Sequence, residues 1–208
     1  MKYGLFDLSA KLRFGRSAPI KFEPVMVRLC HVNERVWHPN RFDGRHPQND
    51  PRCVLSGNWD KNTDPIDFEH LKFRSLERRI MADEGWEKSQ LLKERIHTIN
   101  RTGSADGIRE SSDMLKRYVE IDRIIDYVQA NGTLARAREI NAAAFRERGS
   151  IPIMIGRDGR LILGRGGTHR FFIAHILGTR EVPMALVTVH PDRAKRVGEV
   201  SGLRRLIG

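Results

Sequence analysis

Residues 161–178, LILGRGGTHRFFIAHILG, run from an apolar strand through a glycine-rich basic turn straight into a helix. This stretch constrains the fold more than any other, because a strand that feeds a helix in so few residues leaves the first helical amides unpaired and facing outward. Gly164, Gly166 and Gly167 let backbone approach a ligand with no Cβ in the way, and Thr168 and His169 stand at the first free N–H groups. Arg165 and Arg170 set fork-shaped positive charge at either end of the turn. The pattern fits a cradle for phosphate or carboxylate. It also fits a plain strand-to-helix turn with solvated arginines.

The flanks extend the pattern. Ile151-Pro152-Ile153-Met154-Ile155 and Leu161-Ile162-Leu163 are apolar runs separated by the turn signal Arg157-Asp158-Gly159, so a hairpin delivers the glycine loop. Phe171, Phe172, Ala174, His175, Ile176 and Leu177 predict a short buried helix, with Gly178 as its left-handed cap. Residues 182–189 read as a strand with Pro183 near its start, where a missing N–H does least harm.

This run of residues resembles the ParB/sulfiredoxin superfamily, in which a hairpin leads to a G-x-x-R-type loop opening a helix and the next strand begins with an Ile-Pro or Val-Pro pair. Here the loop is Gly167-Thr168-His169-Arg170, and the resemblance covers roughly residues 135–192. It implies phosphate binding by the Thr168 and His169 amides and the Arg170 side chain, as in the CTP-, ATP- and serine-kinase branches of that superfamily. Thr168 stands where sulfiredoxins carry cysteine, and a threonine forms no thiolate at neutral pH, so sulfinic-acid reductase activity is not expected. Partitioning proteins continue into a helix-turn-helix domain, for which the roughly thirty residues after the motif leave no room. Val54-Leu55-Ser56-Gly57-Asn58-Trp59-Asp60, with Arg74 and Trp86, looks like the N-terminal half of uncharacterised bacterial and archaeal proteins that end in a ParB-like module.

The fold expected is α+β: a ParB/sulfiredoxin-like mixed sheet with flanking helices, plus a largely helical middle segment. Residues 1–132 form the N-terminal strand, loop and helical region, 133–192 the module, and 193–208 a basic tail. Residues 1–50 hold one or two strands around Pro24-Val25-Met26-Val27-Arg28-Leu29, then an irregular loop over 39–51. Asp67 suits an N-cap for a helix reaching Ala82, residues 86–99 read as another, and 101–107 as a mobile loop. Leu115, Tyr118, Ile121, Ile125 and Val128 mark one face of a helix closed by Asn131-Gly132, and Thr133 caps a further helix through Arg148.

Charge is concentrated at one end. Residues 1–50, 51–132 and 133–208 carry net charges of +4, −1 and +8, and the whole 208-residue chain carries +11. An arginine-rich excess is the footprint of a phosphate or polyanion partner, and also what a coding bias toward arginine leaves on a surface. Arg136, Arg138, Arg146, Arg148, Arg193, Arg196, Arg204 and Arg205 exceed what one nucleotide needs, which keeps DNA, RNA or an acidic protein surface open as partners. No stretch approaches the length of a membrane span, the start lacks a secretory pattern, and a cytoplasmic protein with Cys30 and Cys53 as free thiols is expected. His31, His38 and His46 lie near those cysteines without a C-x-x-C or H-x-x-x-H pair, so no metal centre is expected. Trp59 and Trp86 read as packing anchors, His175 as a helix-face residue, and His190 as the close of the last strand.

These readings point to a nucleotide-binding protein that uses Gly164, Arg165, Gly166, Gly167, Thr168, His169 and Arg170 to hold ATP or CTP with Mg2+. If it is an enzyme, phosphotransfer or nucleoside triphosphate hydrolysis is the matching class, with Glu139, Asp60 and His169 as candidate catalytic groups. The alternative is a non-catalytic module, related to ParB, that binds DNA, RNA or a partner protein.

Overall fold

The computed structural model describes residues 2–36 and 46–206. In chain order the helices and strands are α1 (Lys2–Phe14), β1 (Glu23–Arg28), β2 (Val32–Arg35), β3 (Asp64–Pro65), α2 (Leu71–Met81), α3 (Gln90–Thr102), α4 (Ser111–Asn131), α5 (Ala137–Ile140), β4 (Ile151–Ile155), β5 (Leu161–Leu163), α6 (Thr168–Ile176), β6 (Glu181–Val189), α7 (Pro191–Ala194) and β7 (Leu203–Arg205). They form two compact units, each built from separated stretches. The first comprises Met1–Ile66, Ala135–Thr168 and Arg180–Gly208, and the second Asp67–Leu134 and His169–Thr179.

The first unit holds a seven-stranded mixed sheet in the order β3-β2-β5-β4-β6-β1-β7. Strands β4 and β5 form the expected hairpin, with Ile153 opposite Leu163 and Ile155 opposite Leu161. Strand β6 pairs parallel to β4 and antiparallel to β1, and every residue of β4 is buried, as unbroken apolar runs at a sheet centre should be. A shift of register falls between Ile153 and Met154, where the β6 partner steps from Leu186 to Thr188 and leaves Val187 as an extra residue. Trp59, Met154, Ile162, Ala185 and Val187 pack together as a core, and Trp59 donates its indole N–H to Leu55 O at 2.9 Å. The mixed sheet with its helices bears out the α+β expectation at that level.

The second unit is helical. Met114, Tyr118, Ile121, Ile125 and Val128 form the buried face of α4, and Gly132 caps it at φ 66°. Leu115, expected on that face, is half exposed, and Met114 takes its place one residue earlier. Trp86 packs edge-on against Tyr118, and its indole N–H donates to Asp122 at 2.9 Å. Phe73 and Phe172 meet edge to face.

Local expectations fail where side chains compete for backbone groups. Helix α2 starts four residues after Asp67: His70 is the N-cap, its Nδ1 accepting from Lys72 N at 3.0 Å, while Asp67 accepts from Glu69 N in a turn of its own. Trp86 sits in a short 3-10 turn, and α3 begins at Gln90 behind the Ser89 cap. The helix expected through Arg148 stops at Ile140. Asn141 is extended and its side chain accepts from Ala143 N at 3.0 Å, Arg146 is left-handed at φ 54°, and the buried Glu147 carboxylate takes the Ala137 amide at 2.7 Å. The helix over Lys2–Phe14 was not anticipated. Most of the 39–51 loop, with His38, lies outside the described residues; His46 within it is buried and caps a short turn through Gln48 N.

Candidate functional site

In the first unit the glycine loop is held down from two sides. Gly164 donates to Pro152 O at 2.8 Å, and a Cβ there would sit 2.7 Å from Gln48 Oε1. Gly167 is left-handed at φ 67°, and its Cβ would come within 2.9 Å of Ile151 Cα, so the loop lies flat against β4 only with glycine at this position. Gln48 grips the residue between them: its Oε1 accepts from Arg165 N at 2.6 Å and its Nε2 donates to Arg165 O at 2.8 Å. The Arg165 amide is therefore spent on the protein, while its guanidinium is exposed. The Gly166 and Gly167 amides bond to nothing among the described residues.

Gly166 and Gly167 line a cavity of about 420 Å3. Pro152, Ala185 and Val187 contribute apolar lining, and Lys21, Arg148 and Arg165 contribute positive charge. Lys21 is fully buried, donating to Val187 O at 2.6 Å and Gln48 O at 2.9 Å. Burial pushes its ammonium down to about 8, against the favourable pull of Cys53 and Asp50. Asp50 is the acidic side chain of the lining, and Arg52 holds both its oxygens at 2.9 and 2.8 Å. That side-chain bond, with the Arg52 amide and the nearby charges, lowers the Asp50 carboxyl despite partial burial. With its one carboxylate already bidentate to arginine, the lining offers a poor donor set for Mg2+. Among the described residues no group of three potential ligands assembles anywhere.

The candidate catalytic carboxylates lie elsewhere. Asp60 is fully buried and clamps the β4–β5 turn: it accepts from Arg157 N at 2.8 Å, from Nε at 2.9 Å and from Nη2 at 2.8 Å. Burial alone would raise its carboxyl, but the Arg157 donors and charge, with His190 nearby, outweigh it and hold the group below its ordinary value. Glu139 is exposed and closes a capping box on Arg136 N at 2.8 Å. Neither lines the loop cavity.

In the second unit, His169 buries its Nε2 without a hydrogen-bond partner. Desolvation first, and then the charges of Lys72, Arg117 and Arg95, drive its pKa well below the usual imidazole value, so it is neutral at physiological pH. At physiological pH His169 therefore presents an N–H or a lone pair. His175 stacks on Phe68 with ring centroids 4.5 Å apart, and burial lowers it too. His190, in the first unit, is buried and caps α7 by accepting from Asp192 N at 3.4 Å.

Sequence reasoning missed Lys21, Gln48 and Asp50, and it marked Arg148 only as one of the surplus arginines. The three missed residues come from outside the motif, and nothing in their local patterns sets them apart; only the strand order brings them to the loop. No family model, curated protein or solved structure matches this chain.

Proposed function

We propose that the chain binds phosphate groups of a nucleotide in the cavity beside Gly166 and Gly167; the resemblance to ParB/sulfiredoxin proteins implies phosphate binding by the same loop, but through Thr168, His169 and Arg170, which do not line this cavity. The observation that carries this reading is that Gly166 and Gly167, whose amides are unbonded, line one cavity with Lys21, Arg148 and Arg165. Unbonded loop amides are donors for an anion, and a buried ammonium beside them is worth far more than one in water. The apolar strip of Pro152, Ala185 and Val187 suits the uncharged part of such a ligand. Binding fits the site better than turnover, because Asp60 and Glu139 are engaged away from the cavity and Asp50 is engaged within it.

ATP, CTP and GTP, each with and without Mg2+, are expected to raise the thermal midpoint of the protein for at least one nucleotide, since a ligand that binds only the folded state must stabilise it. Arg165→Ala, whose backbone clamp to Gln48 survives the change, should weaken that nucleotide roughly tenfold, the worth of about one charge-assisted hydrogen bond. Unaltered affinity in Arg165→Ala and in Lys21→Met would overturn the reading. A basic binding module for nucleic acid, the second reading, draws on the chain's charge of +11. It is favoured if free nucleotides leave the midpoint unmoved while oligonucleotides bind with a steep salt slope.

A further inference from the structure

A second cavity in the first unit, of about 640 Å3, is lined by Lys11, Arg16, Arg136, Arg138, Arg146 and Arg205 against the single carboxylate of Glu23. These cations arrive from the last turn of α1, the segment after it, the α5 region and β7, so folding rather than local sequence gathers them. Two of them are fixed. Arg205 donates to Glu23 at 2.5 Å and to Ser17 O at 2.6 Å, and Arg146 to Asp7 at 2.7 Å and to Lys21 O at 2.7 Å. Arg136 buries its Nε with no hydrogen-bond partner, 3.9 Å from Glu147. Lys11, Arg16 and Arg138 have no anionic partner among the described residues.

Converging like charges repel, and with Arg205 paired to Glu23, Arg146 to Asp7 and Arg136 3.9 Å from Glu147, the three remaining cations, Lys11, Arg16 and Arg138, are best compensated by an anion from outside. We propose that this cavity is a second anion site, separate from the glycine loop, for a compact molecule bearing several phosphate groups. Its size lies in the range of small-molecule pockets, about 300–1,000 Å3, and its concavity suits a compact ligand better than a strand that must enter and leave. Anchored Arg146 and Arg205 present guanidinium forks already ordered for phosphate, while Arg16, Arg138 and Lys11 supply the uncompensated charge. Ile20, Pro24 and Leu206 give the ligand an apolar wall.

Isothermal titration with inorganic tripolyphosphate tests this on the full chain. The double variant Arg16→Ala, Arg138→Ala removes two cations that make no structural bonds, so the fold is expected to hold, as circular dichroism will verify. Tripolyphosphate binding at this site should weaken tenfold or more in the double variant and stay within twofold in Lys93→Ala, an exposed lysine of α3 that lines neither cavity. Equal affinity in the double variant and the wild type, or no binding by the wild type, would overturn the proposal. So would tighter binding by a single-stranded oligonucleotide that displaces tripolyphosphate, which would assign the cavity to a nucleic-acid backbone. The nucleotide reading fails by a different result, the indifference of nucleotide affinity to Arg165→Ala and Lys21→Met.

Discussion

Lys21 concentrates the chemistry of the loop cavity in one side chain. An ammonium has three donors, and two go to Val187 O and Gln48 O, leaving one for a ligand. Its pKa of about 8 in the folded chain, against an ordinary 10.5, means that the folded protein binds fewer protons than the unfolded one between those values. The stability contribution from Lys21 therefore rises with pH across that window, and below about 8 burial of the charge works against the fold. An arriving phosphate reverses the preference, because it favours the protonated amine. Nucleotide affinity should be full below about pH 8 and fall above it, approaching about tenfold per pH unit, with proton uptake on binding. Titrations between pH 7 and 9.5 in buffers of different ionisation heat will read both effects, and Lys21→Met should abolish the pH dependence. A profile that is flat in the wild type would separate Lys21 from the ligand. Asp60 shows the opposite use of burial: the sequence marks it as a possible base, yet its oxygens are consumed by Arg157.

Among the elements, those with a clean periodicity were legible and those set by side-chain competition were not. The β4–β5 hairpin, the loop, α6 and β6 were readable because apolar runs alternate with glycine and aspartate turn signals. Helix α4 was readable from its spacing, with an error of one residue where Met114 replaces Leu115. The segment 133–148 misled because alanines and arginines favour a helix locally, while Asn141 and the buried Glu147 take the amides a helix would need. The loop itself was legible, but Lys21, Gln48 and Asp50 were not, since a lone polar residue reveals its neighbours only through tertiary pairing. The cap of α2 offers a direct check. His70→Ala should destabilise the protein by about 1 kcal/mol, whereas Asp67→Ala, which loses only a turn bond, should cost less than half of that. Chemical denaturation of the two variants compares them, and a larger loss from Asp67→Ala would return the cap to the position the sequence favours.

At the scale of the whole molecule, charge and architecture meet at the edge of the sheet. Both cavities lie in the first unit, which also contains nearly all of the strongly basic 133–208 segment. Strand β7 seals one side of that unit by pairing with β1, Val27 opposite Leu203 and Val25 opposite Arg205. The same residue closes the buried Glu23 carboxylate and lines the basic cavity. Deleting residues 203–208 would bare the β1 edge, strand Glu23 without its guanidinium, and remove one fixed cation. Breaking a largely buried pair costs on the order of 3 kcal/mol. For a chain of this size that shifts the thermal midpoint by roughly 6–12 °C. An unpaired edge also templates association, so the truncated protein should aggregate on heating where the full chain does not. Arg205→Met keeps the strand and removes only the charge pair. It should reproduce most of the midpoint loss without the aggregation. If the truncation and the point variant lose equal stability and aggregate alike, the pair rather than the edge governs both effects. If Arg205→Met is silent, β7 acts through its backbone alone.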